Sequence, residues 1–165
     1  MQNARPLVWI SHGAVGSLNR LAEAEYPRET GGVLIGYWSS DSEIVVTHLV
    51  GPGPRAIHAL TGFRPDQQFH TTEVARHFEQ SHGVNTYLGD WHTHPGVEIA
   101  HPSGKDRATI KRIALDQEAR APKPLMLIAA GNGTRWKGRI WVGRVENWWG
   151  MWRMLRLSEC VLQEY

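Results

Sequence analysis

Leu88-Gly89-Asp90-Trp91-His92-Thr93-His94-Pro95, followed by Pro102-Ser103-Gly104-Lys105-Asp106, is the stretch that decides how this chain is read. The apolar run into His92 is a strand, and residues two apart on a strand point the same way. His92 and His94 therefore project from one face, and Trp91 from the other, toward a core. Pro95 ends the strand and leaves the histidine pair at its rim. Residues 95–102 hold prolines and a glycine and cannot be regular structure. Ser103 opens a helix running to about Arg120, and Pro122 to Pro124 close it.

Outward from that unit, the chain mixes strands and helices. Leu7 to Ile10 is a short apolar strand. Ser11 caps a helix over about 13–25, where Val15, Leu18, Leu21 and Ala22 recur at helical spacing and Pro27 is the stop. Gly31 to Trp38 reads as a buried strand entered through glycines. It turns at residues 39–42 into a second strand, Glu43 to Val50, making a hairpin. Gly51 to Pro54 is loop. Pro65-Asp66 starts a helix reaching about Ser81, with Phe69, Val74 and Phe78 as core positions and Gly83 as its end. Leu125 to Ala130 is a short apolar strand. Arg135 to Arg144 places Trp136, Gly138, Ile140 and Val142 on one strand face, with Trp38, Trp136 and Trp141 packing on strands. The tail from Trp148 to Tyr165 fits a helical face through Trp148, Trp152, Leu155 and Leu162, and equally a strand through Met154 to Leu157. The expected architecture is one α/β (α+β) domain over 1–165, built on a single sheet, with a Trp-rich tail at about 147–165.

At 165 residues the chain is long enough for a hydrophobic core without disulfides. Charged residues at 21% and apolar ones at 41% are an ordinary folded balance. A net charge of +2 is too small to argue for nucleic acid, and Lys111-Arg112 and the basic residues between Arg135 and Arg144 read as solvated faces. The single cysteine, Cys160, excludes both an internal disulfide and a thiolate zinc ribbon. The first residues lack a signal-peptide apolar run, and no stretch approaches the ~18 apolar residues of a membrane span, so the expected location is the cytoplasm.

Nine histidines make metal binding the question to ask. A catalytic zinc takes three protein ligands from His and Asp/Glu and keeps one position open. His92 and His94 supply two, and Asp106, one turn into the following helix, supplies the third if the loop folds back. Ser103-Gly-Lys-Asp106 also fits an ordinary capping box, so spacing alone leaves both roles open for Asp106. Hydrolysis needs a base as well. Glu29, at the mouth of the glycine-led strand, is the best-placed carboxylate, with Glu98, Asp90 and Glu73 as rivals.

Taken together, Glu29-Thr-Gly-Gly-Val-Leu-Ile-Gly36, His92-Thr-His94-Pro95 and Pro102-Ser103-Gly-Lys-Asp106 resemble the JAMM (JAB1/MPN/Mov34) metalloproteases. That family's pattern is a Glu opening a Gly-x-Leu-x-Gly strand, then His-x-His-Pro, a spacer and Ser-x-x-Asp. The likeness spans residues 7 to about 145, and no catalytic position departs from it. It implies a curved mixed sheet between helices, cytidine-deaminase-like. It implies one zinc per chain on His92, His94 and Asp106, Glu29 as general acid/base, and Ser103 as oxyanion donor. It further implies cleavage of the amide after the C-terminal Gly of a ubiquitin-like (β-grasp) protein or its conjugate.

The chain resembles compact, stand-alone bacterial members, which implies deconjugation in a CBASS-type antiphage system ahead of sulfur-carrier processing. A metal-bound scaffold without catalysis is the reading from another class, and retention of all five positions speaks against it. The expected partners are a β-grasp protein with a Gly tail and its conjugates, not membrane or nucleic acid, with a homodimer left open. The Trp148-Trp149-x-x-Trp152 cluster reads as packing for the tail rather than a docking surface. His101 reads as a solvent-exposed loop residue near the metal. His12, His48, His58, His70, His77 and His82 receive no role.

Overall fold

The computed structural model describes residues 5–148 and 152–165. The helices are α1 (His12–Glu25), α2 (Gln67–Gln80) and α3 (Gly104–Leu115). The strands are β1 (Leu7–Ile10), β2 (Gly31–Ser40), β3 (Glu43–Val50), β4 (Ile57–Ala59), β5 (Gly62–Arg64), β6 (Thr86–Pro95), β7 (Leu125–Gly131), β8 (Trp136–Trp148), β9 (Trp152–Glu159) and β10 (Val161–Glu164). Eight strands form one mixed sheet in the order β10-β1-β3-β2-β6-β7-β8-β9, and β4-β5 is a separate hairpin. β1 runs parallel to both β3 and β10, and β6 runs parallel to β7; the remaining neighbours are antiparallel. Register shifts in β2, at Ile35/Gly36 and Trp38/Ser40 against β3, are bulges of the kind that bend a sheet.

Both faces of the central strands are covered, so their apolar runs are continuous rather than alternating. On one face Leu34, Leu88, Trp91, Leu125 and Leu127 pack with Ala14 and Leu18 of α1. On the other, Met126, Ile128 and Trp141 pack around Ile110 of α3, while Val33, Ile35 and Val50 meet Phe69 and Val74 of α2. Each fully buried aliphatic side chain of this kind contributes about 1.5–3 kcal/mol.

The helix starts follow the capping rules. Ser11 accepts from the Ala14 N–H, and Asp66 accepts from the Phe69 N–H at 3.2 Å. A hydrogen bond from Arg55 pulls the Asp66 carboxyl down to about 2. Strands 7–10, 31–40, 43–50 and 125–131, and the helix capped by Ser11, lie where periodicity places them.

Two expectations are corrected. Phe78 is 47% exposed, because α2 turns His70 and His77 inward instead. α3 ends at Leu115, not near Arg120: the Asp116 backbone is extended, and residues beyond it form turns. Of the two readings the tail allows, the structure takes the strand: β9 pairs along β8, and β10 crosses to the far edge beside β1. The hairpin β4-β5 falls between Pro54 and Pro65, a stretch to which the sequence reading assigns no element. Trp152 is 69% exposed, and Trp149 lies outside the described residues. Among the described residues no helix is long and apolar enough to cross a membrane.

Candidate metal centre

β6 is flanked by β2 and β7, with His92 opposite Gly31 on one side and Ile128 on the other. Trp91 and Thr93 are buried, and the intervening His92 and His94 are half-buried, as a two-residue repeat requires. His92 Nε2 and His94 Nε2 lie 3.0 Å apart, with ring centroids 4.8 Å apart. Asp106 closes the group: Oδ1 is 3.2 Å from His92 Nε2, and Oδ2 is 3.5 Å from His94 Nε2.

With both Nε2 atoms unprotonated, the two neutral imidazoles present two lone pairs to the same point, where a cation can bind both at once. Tetrahedral ligands at 2.0–2.1 Å from a zinc ion lie about 3.3 Å from one another. The three observed separations, 3.0, 3.2 and 3.5 Å, bracket that spacing. The donor set of two imidazoles and one carboxylate, all within 4.8 Å of one another, fits a divalent ion with an open position.

Asp106 is both ligand candidate and cap. Its Oδ2 accepts the Ser103 N–H at 2.7 Å, and Ser103 Oγ accepts the Asp106 N–H at 3.2 Å. The capping box therefore aims the carboxylate: Oδ2, anchored at the start of α3, lies by His94, and Oδ1 reaches His92. Burial alone would raise the Asp106 carboxyl, but hydrogen bonds from His92, His94 and Ser103 outweigh it and hold it well below the usual carboxylate range. It is therefore ionised, as a ligand must be.

The triad opens on a cleft of about 890 Å³ that Glu29, Ser103 and Asp90 also line. Of the rival carboxylates, Asp90 is engaged by the Tyr87 hydroxyl at 2.6 Å, and burial pushes its carboxyl up despite that bond. Glu73 is held by Arg76 at 2.6 Å on α2. Glu98 is exposed in the loop and does not line the cleft. Glu29 is half-buried.

Four residues around Glu29 have a part in the site that the sequence reading does not give them. The Thr30 N–H donates to Thr93 Oγ1 at 2.9 Å, and the Thr93 N–H donates to the Thr30 carbonyl at 2.8 Å, both residues being fully buried. His58, on β4, donates from Nδ1 to the Glu29 carbonyl at 3.0 Å. Gly31 has no room for a side chain: a Cβ there would collide with the Trp91 carbonyl and lie 2.9 Å from His92 Cβ and 3.0 Å from Phe63 Cε1. A threonine between two histidines is a visible signal, whereas a lone histidine in a stretch with no assigned element is not. His101 is exposed, as expected.

Comparison with known proteins agrees with this geometry. A family model described as prokaryotic homologs of the JAB domain matches residues 12–142. The chain is 37% identical over 139 residues to a protein of Sinorhizobium fredii named "Probable metalloprotease", covering 84% of this chain and 85% of that one. It is 32% identical over 134 residues to a CD-NTase/cGAS isopeptidase of Escherichia coli, covering 80% and 81%. A CD-NTase/cGAS isopeptidase of Vibrio cholerae is 32% identical over 111 residues, covering 67% of each chain. A Desulfitobacterium hafniense protein solved in solution superimposes with a TM-score of 0.66 over 96% of this chain and 94% of its own, at 18% identity, which speaks to the fold alone.

Proposed function

The chain belongs to the family of prokaryotic homologs of the JAB domain, and from that membership we propose that it is a zinc-dependent isopeptidase with Glu29 and Ser103 as its catalytic residues. The observation that carries the proposal is the convergence of His92, His94 and Asp106 on one point of a cleft that Glu29 and Ser103 also line.

Bound there by the two imidazoles and the carboxylate, zinc supplies Lewis acidity toward a carbonyl and makes water more acidic. Glu29 takes one proton from the attacking water and later returns it to the departing amine nitrogen. Water is thereby added across the amide: hydroxyl to the carbonyl carbon, hydrogen to the nitrogen. Ser103 Oγ already accepts from Asp106, so its own hydrogen is free to donate to the negative oxygen developing on the scissile carbonyl. The start of α3, with its unpaired N–H groups, adds partial positive charge on the same side.

The substrate we assign is a conjugate in which the C-terminal glycine of a modifier protein is joined to an amine. The modifier is a ubiquitin-like protein or, as the names of the E. coli and V. cholerae relatives suggest, a CD-NTase. That reading puts the chain in the cytoplasm, as the deconjugating partner of an antiphage system. The test is mass spectrometry of host lysate incubated with wild-type protein or with Glu29→Ala. A chelator-sensitive release of a protein ending in free glycine, seen with wild type alone, is the expected result. Metal-loaded protein that releases nothing from such a conjugate would return the chain to a scaffold role. Processing of a sulfur-carrier fusion with the isopeptide conjugate left intact would move the substrate instead.

A further inference from the structure

Glu29 lies just ahead of β2, and the β2–β6 ladder begins only at Gly31. The backbone of residue 29 is therefore outside the sheet, and the hairpin β4-β5 takes up both of its polar groups. The Glu29 N–H donates to the Ala59 carbonyl at 2.8 Å. Its carbonyl, which can only accept, is met by His58 Nδ1 at 3.0 Å, so that nitrogen carries the ring hydrogen. Ile57 and Ala59 are exposed, and between them His58 is turned inward, its side chain 13% exposed. The imidazole is fixed from behind by its cross-strand partner Phe63, with ring centroids 5.4 Å apart. The nearest carboxylate oxygen to Nδ1, Glu25 Oε2, is 3.8 Å away and engaged by Arg28 at 2.8 Å. The Glu29 carbonyl is thus the ring's hydrogen-bond partner.

Resting on the reading of Glu29 as proton carrier, we propose that His58 is a positioning residue that holds the Glu29 backbone, and through it the carboxylate, in place over the metal group. The hairpin that does this also lines the cleft through Leu60, Thr61 and Phe63, so the element that meets the substrate is the one that holds the acid/base. A side chain displaced by about 1 Å from its working position loses turnover without losing substrate affinity.

The test compares His58→Leu, which removes the donor, with His58→Asn, whose amide nitrogen reaches the place of Nδ1. Zinc-loaded protein is used throughout, with Glu29→Gln in parallel. The probe is a ubiquitin-like protein ending in Gly-Gly joined by an amide to a fluorogenic amine. Hydrogen exchange at the Glu29 amide is followed by NMR, alongside kcat, KM, bound zinc and melting temperature. For His58→Leu we expect Glu29 exchange about tenfold faster and kcat about tenfold lower, the loss of one neutral hydrogen bond. KM and zinc content stay unchanged, the melting temperature falls only slightly, and His58→Asn restores the exchange and kcat. Unchanged Glu29 exchange in His58→Leu, or His58→Asn behaving like His58→Leu, overturns the proposal. If Glu29→Gln matches wild type, the reading of Glu29 fails; if wild type leaves the probe intact, the ubiquitin-like modifier is ruled out; in either case the exchange data judge the clamp by themselves.

Discussion

Thr93 Oγ1 accepts the backbone N–H of Thr30 at 2.9 Å, and the Thr93 N–H returns a bond to the Thr30 carbonyl at 2.8 Å. Thr93 stands between the two histidines and Thr30 directly after Glu29. This reciprocal pair therefore sets the distance between the metal group and the proposed acid/base.

The two threonines should respond oppositely to the same substitution. Thr93→Val leaves the buried Thr30 N–H without its acceptor and should cost about 1–3 kcal/mol. The Thr30 hydroxyl is buried with no partner among the described residues. Thr30→Val should thus be neutral or stabilising by up to about 1 kcal/mol. Thermal or urea melts of both variants decide this, and equal destabilisation would refute it.

Gly31→Ala should destabilise the protein by about 1–3 kcal/mol through overpacking. The added methyl meets the Trp91 carbonyl, His92 Cβ and Phe63, so bound zinc should fall as well. A variant with wild-type stability and zinc content would show that β6 yields at this point.

Asp106→Ala removes both a proposed ligand and half of the capping box, and should lose zinc and about 1 kcal/mol of helix stability. Asp106→Asn keeps an oxygen for the Ser103 N–H and should lose zinc with a smaller drop in stability. Metal analysis beside melting curves separates the two roles. In wild type, chelation should lower the melting temperature, since an ion at about 100 times its Kd contributes about 2.7 kcal/mol.

Glu29→Gln should retain zinc and the fold while turnover falls by about 10²–10⁴-fold. In the proposed mechanism its carboxylate serves the reaction and is not a ligand. Steady-state kinetics with metal analysis checks it, and loss of zinc in this variant would make Glu29 a ligand instead.

His48 and His77 stack with ring centroids 4.3 Å apart, and Arg76 donates to His77 Nε2 at 3.0 Å, which requires that nitrogen to be unprotonated. Burial lowers both histidines, with Arg76 and, for His77, the neighbouring His48 lowering them further. Their folded values lie below the unfolded one of about 6.5. The unfolded chain therefore binds more protons just under that pH, and stability present above it declines as pH falls toward the folded values. His77→Phe should flatten the stability profile between about pH 7 and pH 5. An unchanged slope in urea titrations would assign the acid sensitivity to other groups.

Much of the architecture was legible because it is local. Ser11, Asp66 and Ser103 mark helix starts through side-chain bonds within four residues, and the apolar runs of β2, β3 and β7 need no distant partner to be recognised. The ends of elements were less so. Nothing near Leu115 announces the end of α3, and Phe78 fits the helical repeat but faces solvent because α2 packs through His70 and His77.

From the amino-acid order alone came the mixed α/β class, the shared face of His92 and His94, the dual aptitude of Asp106, and the family likeness that singles out Glu29 and Ser103. Those follow from strand and helix periodicity and from spacing along a few residues. Tertiary structure alone decided that Asp106 comes within 3.2 Å of His92, that Thr93 is bonded to Thr30, that the tail returns as β10 beside β1, and that His58 reaches Glu29 from 29 residues away. Contacts of that range are set by how the sheet curves and which faces its helices cover. These are properties of the summed packing, and no local pattern of residue types encodes them.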